Sequence, residues 1–388
     1  MKIAFVHNYY QQKGGEDTVF ANETAALRAA GFEVTTYTTH NNRISSARKP
    51  FLVFSAAFSV MSFFQIIRFI LKNKPNIVHV HNFFPLISPS VFYACKLLNV
   101  PTVLTLHNYR IICPSATFYI EGRVNTKSIN KGPWWTLRKK IYRNSYIGTF
   151  SVALMIWLNQ KLGTWTRVDK FVTLTLFQKS IFQEFGFPAT KIATIPNFIK
   201  EPSINTTTTN NLNLPDKFAL YAGRITEEKG IETLIEASKS SLYPIVVVGS
   251  GSTKDISKVV DSANLLYIGT KQSSELQSIM KRASVLILPS LWYEGLPMVL
   301  VEAYSVGLPV IATDIGSLTE LVRHGKTGFL FKLKNSIELS DCINKLCSDV
   351  AIRSLFSRNA KAYYDDNFTE SIHISRLAVL YEEISNDK

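Results

Sequence analysis

The chain has 388 residues, of which 46% are hydrophobic and 19% charged, and it carries a formal net charge of +14 at pH 7. That balance excludes a disordered or low-complexity protein, and the length is comfortable for two α/β domains. The charge is lopsided: residues 1–200 hold 24 Lys and Arg against 7 Asp and Glu, whereas residues 201–388 hold 19 against 22. The halves are therefore +17 and −3, a field that steers anionic partners to one side. Nucleic acid, an anionic bilayer or a phosphorylated acceptor would all answer to it.

In chain order, Lys2–His7 reads as a first strand, followed by a loop with Lys13-Gly14-Gly15 and a helix from Glu16 to Ala30 that Gly31 closes. Phe32–Tyr37, Asn76–His81, Pro101–Leu106 and Lys170–Thr175 read as further strands with helical segments between them. The Thr- and Asn-rich stretch Asn205–Leu214 breaks the pattern and reads as a linker or exposed loop. Alternation then restarts with strands at Phe218–Ala222, Pro244–Val248, Leu265–Ile268, Ser284–Leu288 and Pro309–Ala312. Two doubly wound α/β domains are expected, over residues 1–200 and 201–370.

Of two apolar stretches, Phe51–Leu71 is interrupted by Gln65 and Arg68 and Ile147–Leu158 is short, so neither gives the ~20 uninterrupted apolar residues that spanning a bilayer requires. They read as buried helices or as a face lying in a membrane interface. Trp134, Trp135, Arg138, Lys139, Lys140 and Arg143 favour the second reading, since Trp with clustered cations suits an anionic headgroup layer. The cysteines, Cys95, Cys113, Cys342 and Cys347, have neither metal-ligand nor redox spacing, and no secretory signal precedes the first strand. Free thiols in a cytosolic chain are expected.

The most informative segment is Tyr293-Glu294-Gly295-Leu296-Pro297-Met298-Val299-Leu300-Val301-Glu302. It follows a strand and opens a helix, so Glu294 lies on the loop and Glu302 about two turns into the helix. In open α/β sheets, ligands bind beyond the carboxyl ends of the strands, where helix N-termini face anions. Carboxylates above such a site suit a ligand with hydroxyls and a phosphate: a nucleotide-sugar. Arg224 and Lys229, on the turn after Phe218–Ala222, would stabilise a departing diphosphate as its charge grows. Gly14 and Gly15 allow close backbone approach after the first strand, beside Glu16 and Asp17. Gly249, Gly251 and Gly269 would line the nucleobase end. His107 ends its strand at the same edge; His81 does so too but ranks lower, and His79 reads as a packed core histidine.

At Glu294 and Glu302 the sequence resembles the glycosyltransferase family 4 enzymes, retaining transferases of the GT-B fold, with two Rossmann-like doubly wound domains facing across a cleft. The resemblance implies that Glu294 holds hydroxyls of the donor sugar and Glu302 those of the ribose. Arg224 and Lys229 then hold the diphosphate, with Gly295, Leu296, Met298 and Val299 at the donor. His107 contacts the sugar, and the loop at Gly14-Gly15 touches the donor. The last helix, about 371–388, is implied to pack back on the first domain. The runs Leu106–Pro114, Trp134–Tyr142 and Gly163-Thr164-Trp165 resemble a narrower group acting on bacterial surface polysaccharides, whose acceptors are lipid-linked saccharides or a lipid A core.

The expected activity is transfer of a hexosyl group from a UDP- or GDP-sugar to a lipid-linked or polysaccharide acceptor for O-antigen, capsule or exopolysaccharide. The expected location is the cytoplasm, at the inner face of the plasma membrane, with the basic domain against anionic lipid. No cofactor or metal is expected: there is no Asp-x-Asp, and Glu121–Lys131 has no cysteine for a structural site. A nucleotide-sugar epimerase of similar architecture is the alternative. A nucleic-acid-binding role lacks a signature, and a dehydrogenase would need Gly-x-Gly-x-x-Gly after the first strand.

Overall fold

The computed structural model describes residues 1–11, 14–44, 53–200 and 213–386. Lys13 and most of the expected 205–214 linker lie outside them. The chain divides into two compact units, one of Met1–Ile120, Asn125–Asn197 and Glu370–Lys388, the other of Glu121–Val124 and Phe198–Thr369.

The first unit is built on a six-stranded parallel sheet in the order β2-β1-β3-β4-β7-β8. Its strands are β1 (Lys2–Tyr9), β2 (Glu33–His40), β3 (Ile77–Asn82), β4 (Thr102–Leu106), β7 (Lys170–Thr173) and β8 (Ile192–Thr194). Two-residue strands β5 (Tyr119–Ile120) and β6 (Arg123–Val124) lie outside it. Ile3 sits between Val34 and Ile77 in register. Strands β3 and β4 are buried along their whole length, and among their apolar residues they carry His79, His81, Asn82, Thr102 and Thr105 as buried polar ones.

In the second unit, six parallel strands lie in the order β11-β10-β9-β12-β13-β14. They are β9 (Ala219–Ala222), β10 (Ile245–Val248), β11 (Leu265–Tyr267), β12 (Val285–Leu288), β13 (Val310–Thr313) and β14 (Gly328–Phe331). In each sheet the winding reverses beside the strand that opens the unit, between β1 and β3 and between β9 and β12. Those reversals open crevices at the carboxyl ends of the strands, and the sequence motifs follow β1, β4, β9 and β12.

Several details depart from the sequence reading. Strands β8 and β14 were not expected: β8 is only three residues long, and β14 opens on Gly328, which reads as a breaker. A Cβ on Gly328 would stand 1.7 Å from Val310 O, so the missing side chain is what lets β14 pair with β13. The apolar stretch 51–71 is not one helix. Its described part breaks before Ser59, whose hydroxyl caps a new helix, Val60–Asn73, by accepting from Ser62 N at 3.2 Å. That helix buries Ile66 and Ile70 and leaves Val60, Met61, Phe64 and Leu71 exposed.

The second apolar stretch forms the helix Tyr146–Lys161, capped by Ser145. Val152, Ala153, Met155 and Ile156 are buried, while Tyr146, Ile147 and Trp157 are exposed. Ser151 and Asn159 of this helix donate to the carbonyls of Val53 and Ala57, which brings exposed Phe54 alongside it. Both helices therefore combine core packing with an outward apolar face. Among the described residues no helix is long and apolar enough to cross a membrane. All four cysteines are unpaired.

Candidate functional site

In the second unit the turn after β9 is pressed against the turn after β12. Gly230 has φ +77°, and a Cβ there would lie 1.8 Å from Pro289 O. Leu291 N donates to Glu228 O at 2.9 Å across the same junction. Only glycine allows that approach, and its result is a contact between the two motifs. Lys229, on the turn Glu227–Lys229, places Nζ 2.6 Å from Glu294 Oε1. Ser290 Oγ donates to the same oxygen at 2.8 Å, and Ser317 Oγ donates to the Glu294 carbonyl at 2.7 Å. Burial alone would raise the Glu294 carboxyl, but the Lys229 ammonium holds it below its ordinary value.

Arg224 is more open, 57% exposed at its side chain, with Nη2 3.3 Å from Glu228 Oε1. Trp292 gathers both cations: the Arg224 guanidinium carbon lies 5.7 Å and Lys229 Nζ 5.1 Å from its ring centroid. Such contacts hold a cation in place without neutralising it. Trp292 was not singled out in the sequence, although it stands two residues before Glu294.

Glu302 lies just over one turn into the helix Met298–Ser305, closer to its start than expected. Burial alone raises its carboxyl to about 7, and no side chain among the described residues pairs with it. Leu296 is buried, and Gly295, Met298 and Val299 are half-buried around the helix N-terminus. Gly249, Gly251 and Gly269 cluster at neighbouring strand ends, where Gly249 N donates to Gly269 O at 3.0 Å. A Cβ on Gly249 would meet Gly223 O at 1.8 Å, and one on Gly251 would meet Ile225 O at 2.6 Å. These two glycines are therefore required by packing, whatever else they touch.

In the first unit, Gly14 caps the helix Gly15–Ala29 in an extended conformation and its N–H donates to Asp17 Oδ2 at 3.0 Å. A Cβ on Gly15 would meet nothing within 4 Å, so the helix start is open. Asp17 is tied to His7 Nε2 at 2.8 Å. Glu16 accepts from Asn108 Nδ2 at 2.6 Å and from Tyr10 OH at 2.9 Å, and burial raises its carboxyl. Tyr10, Glu16, His107, Asn108 and Arg110 line one small cavity.

The Arg110 guanidinium stacks on Phe84 and Tyr142, and its Nε and Nη1 have no hydrogen-bond partner among the described residues. It is a cation with donors in reserve. The signal for it lay in the run Leu106–Pro114.

His107 Nε2 stands 3.0 Å from His81 Nδ1, and burial holds the His107 imidazole well below its ordinary value, with the neighbouring His81 adding to the effect. His79 is a packed core histidine, tied to Tyr381 OH at 2.6 Å and Thr105 Oγ1 at 2.7 Å, and burial lowers it to about 3. Glu23, a residue the sequence reading passed over, bonds His81 and His373. Glu23, His79 and His81 bring ligand-type atoms within 4.8 Å of one another, but those atoms are all engaged in the hydrogen bonds just described.

Two family descriptions match this chain in succession: "Glycosyltransferase Family 4" over residues 13–201 and "Glycosyl transferases group 1" over residues 205–363. An uncharacterized glycosyltransferase of Methanocaldococcus jannaschii is 32% identical over 173 residues, which cover 44% of this chain and 49% of that protein. An uncharacterized 41.2 kDa protein from the cps region of Klebsiella pneumoniae is 25% identical, covering 72% of each chain. Among solved structures, HepE of Anabaena with UDP superposes with a TM-score of 0.71 at 16% identity, over 99% of this chain and 100% of that one. The fold is GT-B, and the chain belongs to the group 1 glycosyltransferases. It is an enzyme of the glycosyltransferase class, related to proteins of capsule and exopolysaccharide synthesis.

Proposed function

We propose that the protein moves a hexosyl group from a UDP- or GDP-sugar to a lipid-linked or polysaccharide acceptor of a bacterial surface glycan, with retention at the anomeric carbon. The observation that carries this reading is the Lys229–Glu294 contact, with Arg224 and Trp292 beside it, at the carboxyl ends of β9 and β12. A diphosphate there meets two cations and the start of the helix Met298–Ser305, so its growing charge is stabilised as the sugar–oxygen bond breaks. Glu294, kept ionised, accepts from sugar hydroxyls; Glu302, which no side chain among the described residues pairs with, accepts from the ribose hydroxyls. HepE has been solved with UDP and with UDP-glucose, which supports a nucleotide-sugar donor.

In this reading no side chain of the donor site acts as a covalent nucleophile. The acceptor hydroxyl attacks from the face the leaving group departs, and the leaving phosphate oxygen takes its proton. With cations supplied by Arg224 and Lys229, no step calls for a metal. His107 contacts the transferred sugar, as the resemblance implies. The comparisons lend no support to the epimerase alternative.

The outward apolar faces of Val60–Asn73 and Tyr146–Lys161, both in the strongly basic half, support contact with the cytoplasmic face of an anionic membrane. Turnover of a panel of UDP- and GDP-sugars, with and without chelator and a lipid-linked acceptor, tests the whole reading. Release of free nucleotide from none of them would end it, and loss of activity on chelation would remove the metal-free mechanism.

A further inference from the structure

Glu23 is fully buried on the helix Gly15–Ala29, yet no Lys or Arg among the described residues pairs with it; three histidines surround it. Its Oε2 lies 3.1 Å from His373 Nε2 and its Oε1 lies 3.2 Å from His81 Nε2. His373 Nδ1 is 2.7 Å from the carbonyl of Pro196. These contacts fix where the hydrogens are. A carbonyl only accepts, so His373 Nδ1 carries a hydrogen; a carboxylate only accepts, so His373 Nε2 carries one as well. His373 is then an imidazolium that balances the Glu23 carboxylate.

His81 donates from Nε2 to the other oxygen of Glu23. With the charge of Glu23 already balanced, His81 stays neutral, and its Nδ1 presents a lone pair. That lone pair faces His107 Nε2 at 3.0 Å, so His107 must supply the hydrogen from Nε2. His107 Nδ1 is left as an acceptor, and nothing among the described residues bonds to it. Packing fixes the ring planes: His81 sits 5.5 Å from the Phe5 centroid, 5.7 Å from Phe20 and 5.1 Å from His107.

We propose that Glu23 and His81 are positioning residues that lock His107 in the Nε2–H tautomer, so that its Nδ1 accepts a hydrogen bond from a substrate hydroxyl. The proposal deepens the transferase reading and rests on it for the identity of the hydroxyl. The tautomer itself does not depend on that reading. A donor at this position would repel the hydrogen of a hydroxyl whose oxygen is engaged elsewhere; an acceptor orients that hydrogen and leaves the oxygen lone pairs directed at the reaction. His373, from the last helix of the chain, acts one step further back by balancing the charge on Glu23.

The test is ¹⁵N spectroscopy of the full-length protein labelled at histidine, with His107 assigned from its absence in His107→Gln. The unaltered protein should show His107 protonated at Nε2 and unprotonated at Nδ1; the reverse overturns the proposal. His81→Phe keeps an aromatic ring beside Phe5 and Phe20 but removes the acceptor, and should release His107 into a mixture of tautomers. With the nucleotide-sugar that the panel selects, kcat should fall about tenfold while the donor KM stays within about twofold, the pattern for a lost second partner to a reacting group. Glu23→Gln, which keeps size and an acceptor oxygen, should give a smaller loss of the same kind. An unchanged His107 tautomer and kcat in His81→Phe would overturn the assignment while leaving the transferase reading intact. A protein that turns over no nucleotide-sugar would lose that reading, and the spectrum would still decide the tautomer.

Discussion

Lys229 Nζ and Glu294 Oε1 stand 2.6 Å apart although 65 residues separate them in the chain. The pair joins the turn after β9 to the turn after β12, so each residue holds the other in place before any ligand arrives. Under the proposed function, in which this lysine meets a diphosphate, the contact keeps it from wandering.

Lys229→Ala removes one cation from the proposed leaving group and frees Glu294 at once. Turnover should fall by about two to three orders of magnitude, the scale for one stabilising contact to developing charge. Because the residues touch, Lys229→Ala and Glu294→Gln together should cost much less than the product of the single losses. Steady-state kinetics of the four proteins in the cycle checks this, and a near-normal rate for Lys229→Ala would place the diphosphate elsewhere.

Glu302 should impose a pH dependence on donor affinity. Its carboxyl is raised to about 7 by burial, so below that pH the folded protein holds a proton there that the unfolded chain has released down to ~4.3. Folding stability therefore falls as pH rises from about 4.3 to 7, because the native state binds more protons across that window. Under the proposed function ribose hydroxyls donate to the ionised form, so donor affinity should rise from pH 5.5 to 7.5. Glu302→Gln should weaken binding, flatten its pH dependence, and stabilise the free protein at pH 8 by on the order of 1 kcal/mol, allowing for solvent screening. Calorimetric titration with nucleotide and thermal melts at both pH values measure it. An unchanged donor affinity in the variant counts against the ribose role.

Gly230→Ala should damage the fold as well as the site. The added methyl would lie 1.8 Å from Pro289 O at a φ of +77°, and relieving it must part the two turns. A loss of about 2–4 kcal/mol is expected from overpacking and left-handed strain combined. Gly15→Ala adds a methyl into open space and should change stability by no more than about 0.5 kcal/mol. Urea unfolding of both variants provides the contrast.

The apolar faces predict membrane binding with a characteristic salt response. Met61→Ser with Phe64→Ser should reduce sedimentation with anionic vesicles without lowering the melting temperature, since both residues are exposed. Binding of the unaltered protein should weaken between low and physiological salt, as the basic surface is screened. Equal binding to a generic DNA duplex would point to charge alone and remove the lipid-specific reading.

The alternation of strands and helices was legible because every central strand is a short apolar run bounded by turn residues. The placement of Arg224, Lys229 and Glu294 on the turns after β9 and β12 was legible too, since each turn follows a short apolar run. Trp292 was not, because an aromatic on a loop has no periodicity to betray it, and Arg110 was legible only as a member of the run Leu106–Pro114. Nor was Glu23: on a helix it reads as a surface charge, and only the tertiary packing of His81, His79 and His373 around it reveals a buried one. Strand β14 was hidden by Gly328, whose lack of a side chain is what lets the strand pair.

His373 and Tyr381 reach Glu23 and His79 across nearly the whole length of the chain. The second unit has all its residues once Thr369 has left the ribosome, but the first waits for the final helix. Until then the Glu23 carboxylate has no His373 to balance it. During synthesis the two halves should therefore mature in the reverse of their written order, and a bulky fusion at the carboxyl end would trouble the amino-terminal half first.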